Sequence, residues 1–159
     1  AVRFGYQVIS VVANKKIIQN IDSELHNYSS VKLSLWSQDN LPVEDSLADV
    51  VFSSIFTSFY LNQEYFVKEV SRICKKGAEI FFMYISPRHG LIESLIKDND
   101  FSLYDDNILI GNEGEPIVIY EKADLISLWS GDFKVDVFWI EDNMSDIFSS
   151  YYVVRGYKL

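Results

Sequence analysis

Few side chains in this sequence have the chemistry for catalysis, and they lie far apart. The chain has two histidines, His26 and His89. His89 follows Pro87 and Arg88 after an apolar segment. Ligand sites in open α/β sheets gather where strands end, so a histidine there could be a catalytic base. No other histidine, cysteine or carboxylate near His89 in the sequence supports a triad or a metal site. We therefore expect His89 to be a solvated loop residue.

The single cysteine, Cys74, falls on the apolar side of a predicted helix, which indicates a buried, inert thiol. One cysteine can form neither a disulfide nor a cysteine metal site within the chain, which fits a reducing compartment. Several acidic groups could offer oxygen ligands, but they lack the spacing of a calcium loop. We expect solvated loops and no metal at these acidic groups: Asp105 with Asp106, Glu113 with Glu115, and Glu141 with Asp142.

The acidic composition limits the partners of the chain. Its formal net charge is −9 and its pI is about 4.6. Such a surface repels phosphate backbones and anionic lipid, so we expect no nucleic-acid partner and no membrane partner. The longest uncharged run, residues 50–63, is too short and too polar to span a bilayer. We therefore expect a cytoplasmic protein.

Strands and helices that alternate along the chain must position these side chains. Continuous or alternating apolar runs predict strands over residues 8–13, 31–36, 48–54 and 79–85. Between the first two, isoleucine and leucine recur at helical spacing, which predicts a helix over residues 15–28.

The second half of the chain continues the alternation. We predict a helix over residues 63–75 that Gly77 ends, a helix around residues 91–96, one strand over 101–110, a short helix over 122–129, and two closing strands. These elements predict one α/β domain over residues 1–159, Rossmann-like and three-layered, with a mostly parallel sheet of six or seven strands and an antiparallel C-terminal edge.

Two motifs resemble class I S-adenosylmethionine-dependent methyltransferases. Residues 37–54 read "SQDNLPVEDSLADVVFSS", with Asp49 in the family's usual acidic position, and residues 69–78 read "EVSRICKKGA" before a strand. The resemblance covers roughly residues 31–110. It implies a methyltransferase-like fold, reduced at its N-terminal side.

The family's cofactor-holding features are absent or replaced. The seven glycines form no G-x-G, and only one strand and one helix precede residues 31–36. The early strand ends near Asn14 without a carboxylate, and Ser37 stands at the adenine-facing acidic position, with Asp39 shortly after it. A cofactor loop needs glycines for its close backbone approach, so we expect no cofactor at these degenerate positions. Either the chain lacks an N-terminal part, or the domain has kept the fold and lost the cofactor.

The second explanation has an example in the N-terminal domain of the anamorsin (Dre2) family. "LPVEDSLADVVFS" at residues 41–53 and "EVSRICKKGA" are similar to that family over fewer than 30 residues. The resemblance implies a non-catalytic interaction domain of a cytosolic iron–sulfur assembly factor, with a flavin-containing reductase as its protein partner. The alternatives are a truncated or atypical methyltransferase, and a structural protein with a similar fold.

Aromatic residues crowd the C-terminal third, which favours a protein-binding surface. We expect Trp129 and Trp139 to anchor a partner and the acidic Glu141 and Asp142 to attract its basic patch.

Overall fold

The computed structural model describes residues 6–12, 31–36, 40–98, 100–142 and 149–159. The predicted helix over residues 15–28 and the positions Asn14, Ser37 and Asp39 lie outside these residues. Contacts divide the chain into two compact units, Ala1–Leu47 and Ala48–Leu159, which are described separately below.

The first unit contains two parallel strands, β1 (Val8–Val12) and β2 (Val31–Leu35). Both are rich in valine, isoleucine and leucine, as expected for parallel strands. They pair in register from Val8 opposite Val31 to Val12 opposite Leu35. Beyond the last pair, the Trp36 N–H donates to the Val12 carbonyl over 2.8 Å. The carboxyl ends of the two strands therefore lie side by side.

The second unit contains seven strands and three α-helices among its described residues. In chain order these are β3 (Ala48–Ser53), a 3-10 helix (Ile55–Phe59), α1 (Gln63–Ile73), β4 (Cys74–Ile85), α2 (Gly90–Lys97), β5 (Phe101–Asp105), β6 (Ile108–Gly111), β7 (Pro116–Val118), α3 (Lys122–Trp129), β8 (Phe133–Asp142) and β9 (Ser149–Lys158). The predicted helix over residues 122–129 coincides with α3.

The main sheet of this unit has the strand order β3-β4-β9-β8. β3 and β4 are parallel, while β9 runs antiparallel to both β4 and β8. The α/β class and the antiparallel C-terminal edge are thus as predicted, and the four strands predicted to be parallel all lie in parallel pairs.

The single strand predicted over residues 101–110 is wrong. Two strands, β5 and β6, meet there in an antiparallel hairpin, and β7 adds a third strand to make a separate small sheet. The polar residues Asp106 and Asn107, which interrupt the apolar pattern, form the turn between them. Ile85, Ile92, Leu109 and Ile117 form a buried cluster beside this sheet.

Gly77 does not end the helix before it, which corrects the prediction. The side chain of Asn62 caps α1 by accepting from the Tyr65 N–H, and the helix already ends at Ile73. Gly77 has φ +80°, which favours glycine, and it lies where the β3–β4 register is interrupted between Ala48 opposite Cys74 and Val50 opposite Glu79. The glycine therefore serves a β-bulge.

Candidate functional site

One edge of the main sheet collects the carboxyl ends of three strands. Because β9 is antiparallel to its neighbours, β3, β4 and β8 run in the same direction and end at the edge where β9 begins. Ligand sites of open α/β sheets lie at such an edge. The residues at this edge that we define as the carboxyl-edge cluster are Ser86, Arg88, His89, Trp139, Ser150 and Tyr151.

Two buried serines form the base of the cluster. The hydroxyls of Ser86 and Ser150 are 2.5 Å apart, and both residues are almost completely buried. The Ser86 N–H donates to the Ser150 carbonyl over 3.2 Å, and the Ser86 Oγ accepts from the Arg88 N–H over 3.2 Å. These bonds fix the turn that follows β4 and so determine the directions of the next two side chains.

His89 is buried, which corrects the expectation of a solvated loop residue. Only 5% of the residue is exposed, and its ring packs edge-on against Tyr151 with 4.8 Å between ring centres. The backbone N–H of His89 donates to the Ser86 carbonyl, and the backbone carbonyl of His89 accepts from the Ile92 N–H in the first turn of α2. Burial lowers the pKa of the imidazole, since water no longer stabilises its charged form. Burial therefore favours the neutral form of His89.

A cation and aromatic rings form the exposed side of the cluster. The guanidinium of the exposed Arg88 lies 5.9 Å from the centre of the Trp139 ring, within range of a cation–π interaction. Trp139 is 45% exposed, so it remains available to other molecules. On β9 beside it, burial raises the pKa of Tyr152 and the Glu121 carboxylate adds to this rise.

Beyond the end of β3, side-chain hydroxyls form hydrogen bonds with the β4 backbone in place of the β3 backbone. The Thr57 hydroxyl donates to the Met83 carbonyl over 2.8 Å, and the Ile85 N–H donates to the Ser58 hydroxyl over 3.0 Å. The 3-10 helix thus satisfies β4 groups that have no strand partner on that side. It closes the β3 side of the edge.

A buried hydrogen-bond network lies beneath this helix. Gln63 donates to the carbonyls of Thr57 and Tyr60 over 2.5 and 2.6 Å. The Tyr84 hydroxyl donates to the Gln63 Oε1 over 3.2 Å and accepts from the Trp129 indole over 3.2 Å. Burial strongly raises the pKa of Tyr84, so the phenol stays protonated and can donate.

Trp129 belongs to the core, which corrects the prediction that it anchors a partner. It is 0% exposed and stacks on Phe82 with 4.6 Å between ring centres. Phe66 and Phe133 contact its other sides. Its place at the buried end of α3 gives it no access to a partner. Of the other predicted anchors, Trp139 and Glu141 are exposed, and the side chain of Asp142 is not described.

Asp49 lies away from the carboxyl-edge cluster. It is the second residue of β3, near the amino end of the strand, and pairs with the Lys75 amino group over 2.7 Å. Both side chains are well exposed, so this ion pair contributes little to stability. The acidic residue of the methyltransferase-like motif is thus part of a surface salt bridge at the other end of the sheet.

The positions expected to have lost their cofactor role, Asn14, Ser37 and Asp39, lie outside the described residues. The strands that precede Asn14 and Ser37 nevertheless end side by side, at Val12 and Leu35. Adjacent carboxyl ends of parallel strands provide the frame on which a nucleotide can bind. Across the part of the chain that the structure describes, no three histidine, cysteine or acidic residues are placed to hold a metal ion.

The Cys74 thiol is buried, as predicted, and its low reactivity stays a prediction. It is 3% exposed, and burial raises its pKa from 9.0 to about 11. We expect iodoacetamide to label the native protein at pH 8 at least about 100-fold more slowly than the urea-unfolded chain, because two pKa units reduce the thiolate fraction that much. Because the pKa of this thiol is raised on folding, its contribution to the free energy of unfolding is fully present below pH 9 and is lost as the pH rises to about 11. Equal labelling rates in both states would contradict this environment.

Sequence reasoning missed half of the carboxyl-edge cluster. It named His89 and Trp139, but not Ser86, Arg88 or Ser150. The available signal was position, since Ser86 and Arg88 directly follow the apolar strand β4. Ser150 could be found only through strand pairing, because 64 residues separate it from Ser86.

None of the described helices is long and apolar enough to cross a membrane.

Comparison with known proteins shows the family and the fold. Residues 1–82 match the family described as a methyltransferase domain. A protein from Methanosarcina mazei titled a SAM-dependent methyltransferase superposes with a TM-score of 0.79 at 17% identity, over 99% of this chain and 84% of that chain. A Thermotoga maritima protein titled a SAM-dependent methyltransferase, possible histamine N-methyltransferase, gives 0.69 at 18% identity, over 100% of this chain and 76% of that chain.

A further similar structure is a putative methyltransferase from Haloferax volcanii in complex with the Trm112 methyltransferase activator, with a TM-score of 0.70 at 11% identity, over 94% of this chain and 71% of that chain. No curated protein matches the chain in sequence. Because the family match covers 82 of the 159 residues, the chain belongs to the methyltransferase domain family, with a class I methyltransferase-like fold.

Proposed function

We propose that this domain is an atypical S-adenosylmethionine-dependent methyltransferase. The observation that carries the proposal is the parallel β1–β2 pair, whose carboxyl ends lie side by side directly before the cofactor-position residues Asn14 and Ser37. The family match over residues 1–82 includes both strands and supports the same assignment. Bound S-adenosylmethionine would supply an electrophilic methyl group.

The carboxyl-edge cluster of the second unit, taken by itself, has side chains suited to binding a small polar molecule. A neutral imidazole can accept a proton from a bound molecule that loses one, and burial lowers the pKa of His89, which favours the neutral form. The exposed Trp139 ring and the Arg88 guanidinium beside it can hold a planar or anionic molecule. The Ser86–Ser150 pair holds the turn that carries Arg88 and His89.

The proposed cofactor site is expected to be weak, since asparagine and serine replace carboxylates and no G-x-G is present. We expect Asn14→Asp combined with Ser37→Asp to tighten S-adenosylmethionine binding about 10- to 100-fold. A charge-assisted hydrogen bond to a ribose or adenine donor contributes roughly 1.5–3 kcal/mol and the neutral bond it replaces roughly 1 kcal/mol, so the two changes together give about 1–4 kcal/mol, a range that includes this tightening. Calorimetric titration of both proteins measures it.

A matched control separates local from general charge effects. Ser127→Asp combined with Ser130→Asp adds two carboxylates at exposed positions of α3 and directly after it. We expect this variant to bind as the wild type does. Equal tightening in both variants, or no change in the first, would contradict the proposed site.

A non-catalytic interaction domain is the second candidate, favoured by the lack of any G-x-G among the seven glycines. Its surface would be the exposed Trp139 and Glu141, with a protein partner such as a flavin-containing reductase. The narrower anamorsin role in iron–sulfur assembly rests on residues 41–53 and 69–78 alone, and neither the family match nor the similar structures support it. Saturable cofactor binding favours the enzyme over this candidate.

A further inference from the structure

Three aromatic side chains form a row across the main sheet near its carboxyl edge. Tyr152 of β9 lies opposite Tyr84 of β4 on one side and opposite Trp139 of β8 on the other. Residues opposite one another in neighbouring strands share a face of the sheet, so the three side chains project from the same face. Tyr84 is fully buried, Tyr152 is half-buried and Trp139 is 45% exposed. The row therefore ends in an accessible aromatic surface at β8.

Three charged side chains lie around Tyr152 and Trp139. The Arg88 guanidinium is 5.9 Å from the centre of the Trp139 ring. Glu141 is two residues further along β8, so it projects from the same face, about 7 Å along the strand. Burial raises the pKa of Tyr152, the Glu121 carboxylate raises it further and the Arg88 guanidinium lowers it, so both charges lie near this hydroxyl. One cation and two carboxylates thus share one aromatic patch.

These three charged groups can bind a ligand. Arg88, Glu121 and Glu141 are all exposed. Among the residues that the structure describes, no ion pair joins any of the three to an opposite charge. A guanidinium held over an aromatic ring still presents N–H donors at its edge, and their geometry matches a carboxylate. The glutamates present acceptors that match an ammonium group.

The charges favour a ligand that carries both signs. A purely anionic ligand at Arg88 would be repelled by the two glutamates, and a purely cationic ligand at the glutamates would be repelled by Arg88. A zwitterion can satisfy both signs at once. The exposed part of the Trp139 ring adds a surface for a second aromatic ring, in an offset or edge-on arrangement.

We propose that this patch binds an aromatic α-amino acid. The carboxylate of the ligand pairs with Arg88, its ammonium group pairs with Glu141, and its ring packs on Trp139. Glu121 adds to the negative potential that attracts the ammonium group. The inference is independent of methyl transfer, since it uses no residue of the proposed cofactor site and requires no S-adenosylmethionine.

Three soluble probes with the same ring separate the two charges. L-phenylalanine carries both, 3-phenylpropionate lacks the ammonium group, and phenethylamine lacks the carboxylate. NMR titration of the isotope-labelled protein, without S-adenosylmethionine, measures each affinity. We expect L-phenylalanine to shift the Trp139 indole N–H signal saturably with a Kd of about 1 mM, and each of the other probes to bind about tenfold more weakly, because it loses one charge-assisted hydrogen bond. The indole signal of the buried Trp129 should not shift.

Two substitutions test the assigned contacts. Arg88→Gln should weaken the binding of L-phenylalanine and 3-phenylpropionate about tenfold without weakening that of phenethylamine. Glu141→Gln should weaken the binding of L-phenylalanine and phenethylamine by a similar factor without weakening that of 3-phenylpropionate. Circular dichroism confirms that each variant is folded.

Arg155→Gln is the matched control for Arg88→Gln. The Arg155 guanidinium also lies over an aromatic ring, 5.5 Å from the centre of Phe81, but on the opposite face of the sheet. We expect this variant to bind L-phenylalanine as the wild type does. No saturable shift at about 20 mM L-phenylalanine, equal affinities for the three probes, or equal effects of the two arginine substitutions would overturn the proposal.

Discussion

Trp129→Ala is expected to reduce the free energy of unfolding by about 3–5 kcal/mol, the usual cost of removing a buried tryptophan. The ring is 0% exposed and packs against Phe66, Phe82 and Phe133, so its removal opens a cavity where α3 meets the sheet. It also leaves the buried Tyr84 hydroxyl without its indole donor. For a domain with a typical stability of about 5–15 kcal/mol, this loss can populate the unfolded state measurably. Urea titration monitored by circular dichroism gives the value.

Trp139→Ala is the matched control for this change. Trp139 lies on β8, is 45% exposed, and has the Arg88 guanidinium beside its ring. We expect its replacement to cost less than about 1 kcal/mol, as for other exposed positions. Similar losses for the two tryptophans, or a Trp129→Ala protein as stable as the wild type, would show that Trp129 is not the core residue described.

Gln63→Leu is expected to cost about 2–4 kcal/mol, although the two side chains are similar in size. The Gln63 amide donates to the Thr57 and Tyr60 carbonyls and accepts from the Tyr84 hydroxyl. Leucine can replace none of these bonds, and each buried polar group left unpaired costs roughly 1–3 kcal/mol, part of which the apolar leucine regains. Urea titration measures the loss.

Lys68→Gln on the same helix is the control, because Lys68 is exposed. We expect that variant to match the wild type within about 0.5 kcal/mol. A stabilised Gln63→Leu protein would mean that water or relaxed backbone geometry already satisfies these groups. The hydrogen-bond network would then not hold the 3-10 helix against β4.

The local sequence pattern predicted elements whose stability comes from their own residues. The apolar runs of β1 and β3 predicted strands and the periodic apolar face of α1 predicted a helix, and these elements are present, although Val50 and Phe52 of β3 are exposed. The cap of α1 at Asn62 is equally local, since the asparagine side chain accepts the Tyr65 N–H three residues later.

The elements that failed depend on distant parts of the chain. Local spacing predicted that Gly77 ends a helix. The positive φ of Gly77 instead belongs to a bulge against β3, and strand pairing cannot be predicted from local spacing. Trp129 is the last residue of a short helix, and only its packing against Phe82 of β4 shows that it is buried. The Ser86–Ser150 pair likewise required the β4–β9 register. The cofactor positions Asn14 and Ser37 remain predictions.

Calorimetric titration of the wild-type domain with S-adenosylmethionine is the most direct test of the proposed function. We expect saturable binding of one cofactor per chain with a Kd in the range of roughly 10–1,000 µM, typical of the affinity of enzymes for small substrates. S-adenosylhomocysteine should compete for the same site, because it lacks only the transferred methyl group. If a folded wild-type protein shows no saturable heat with either ligand at millimolar concentration, the methyltransferase proposal is contradicted and the non-catalytic interaction domain replaces it.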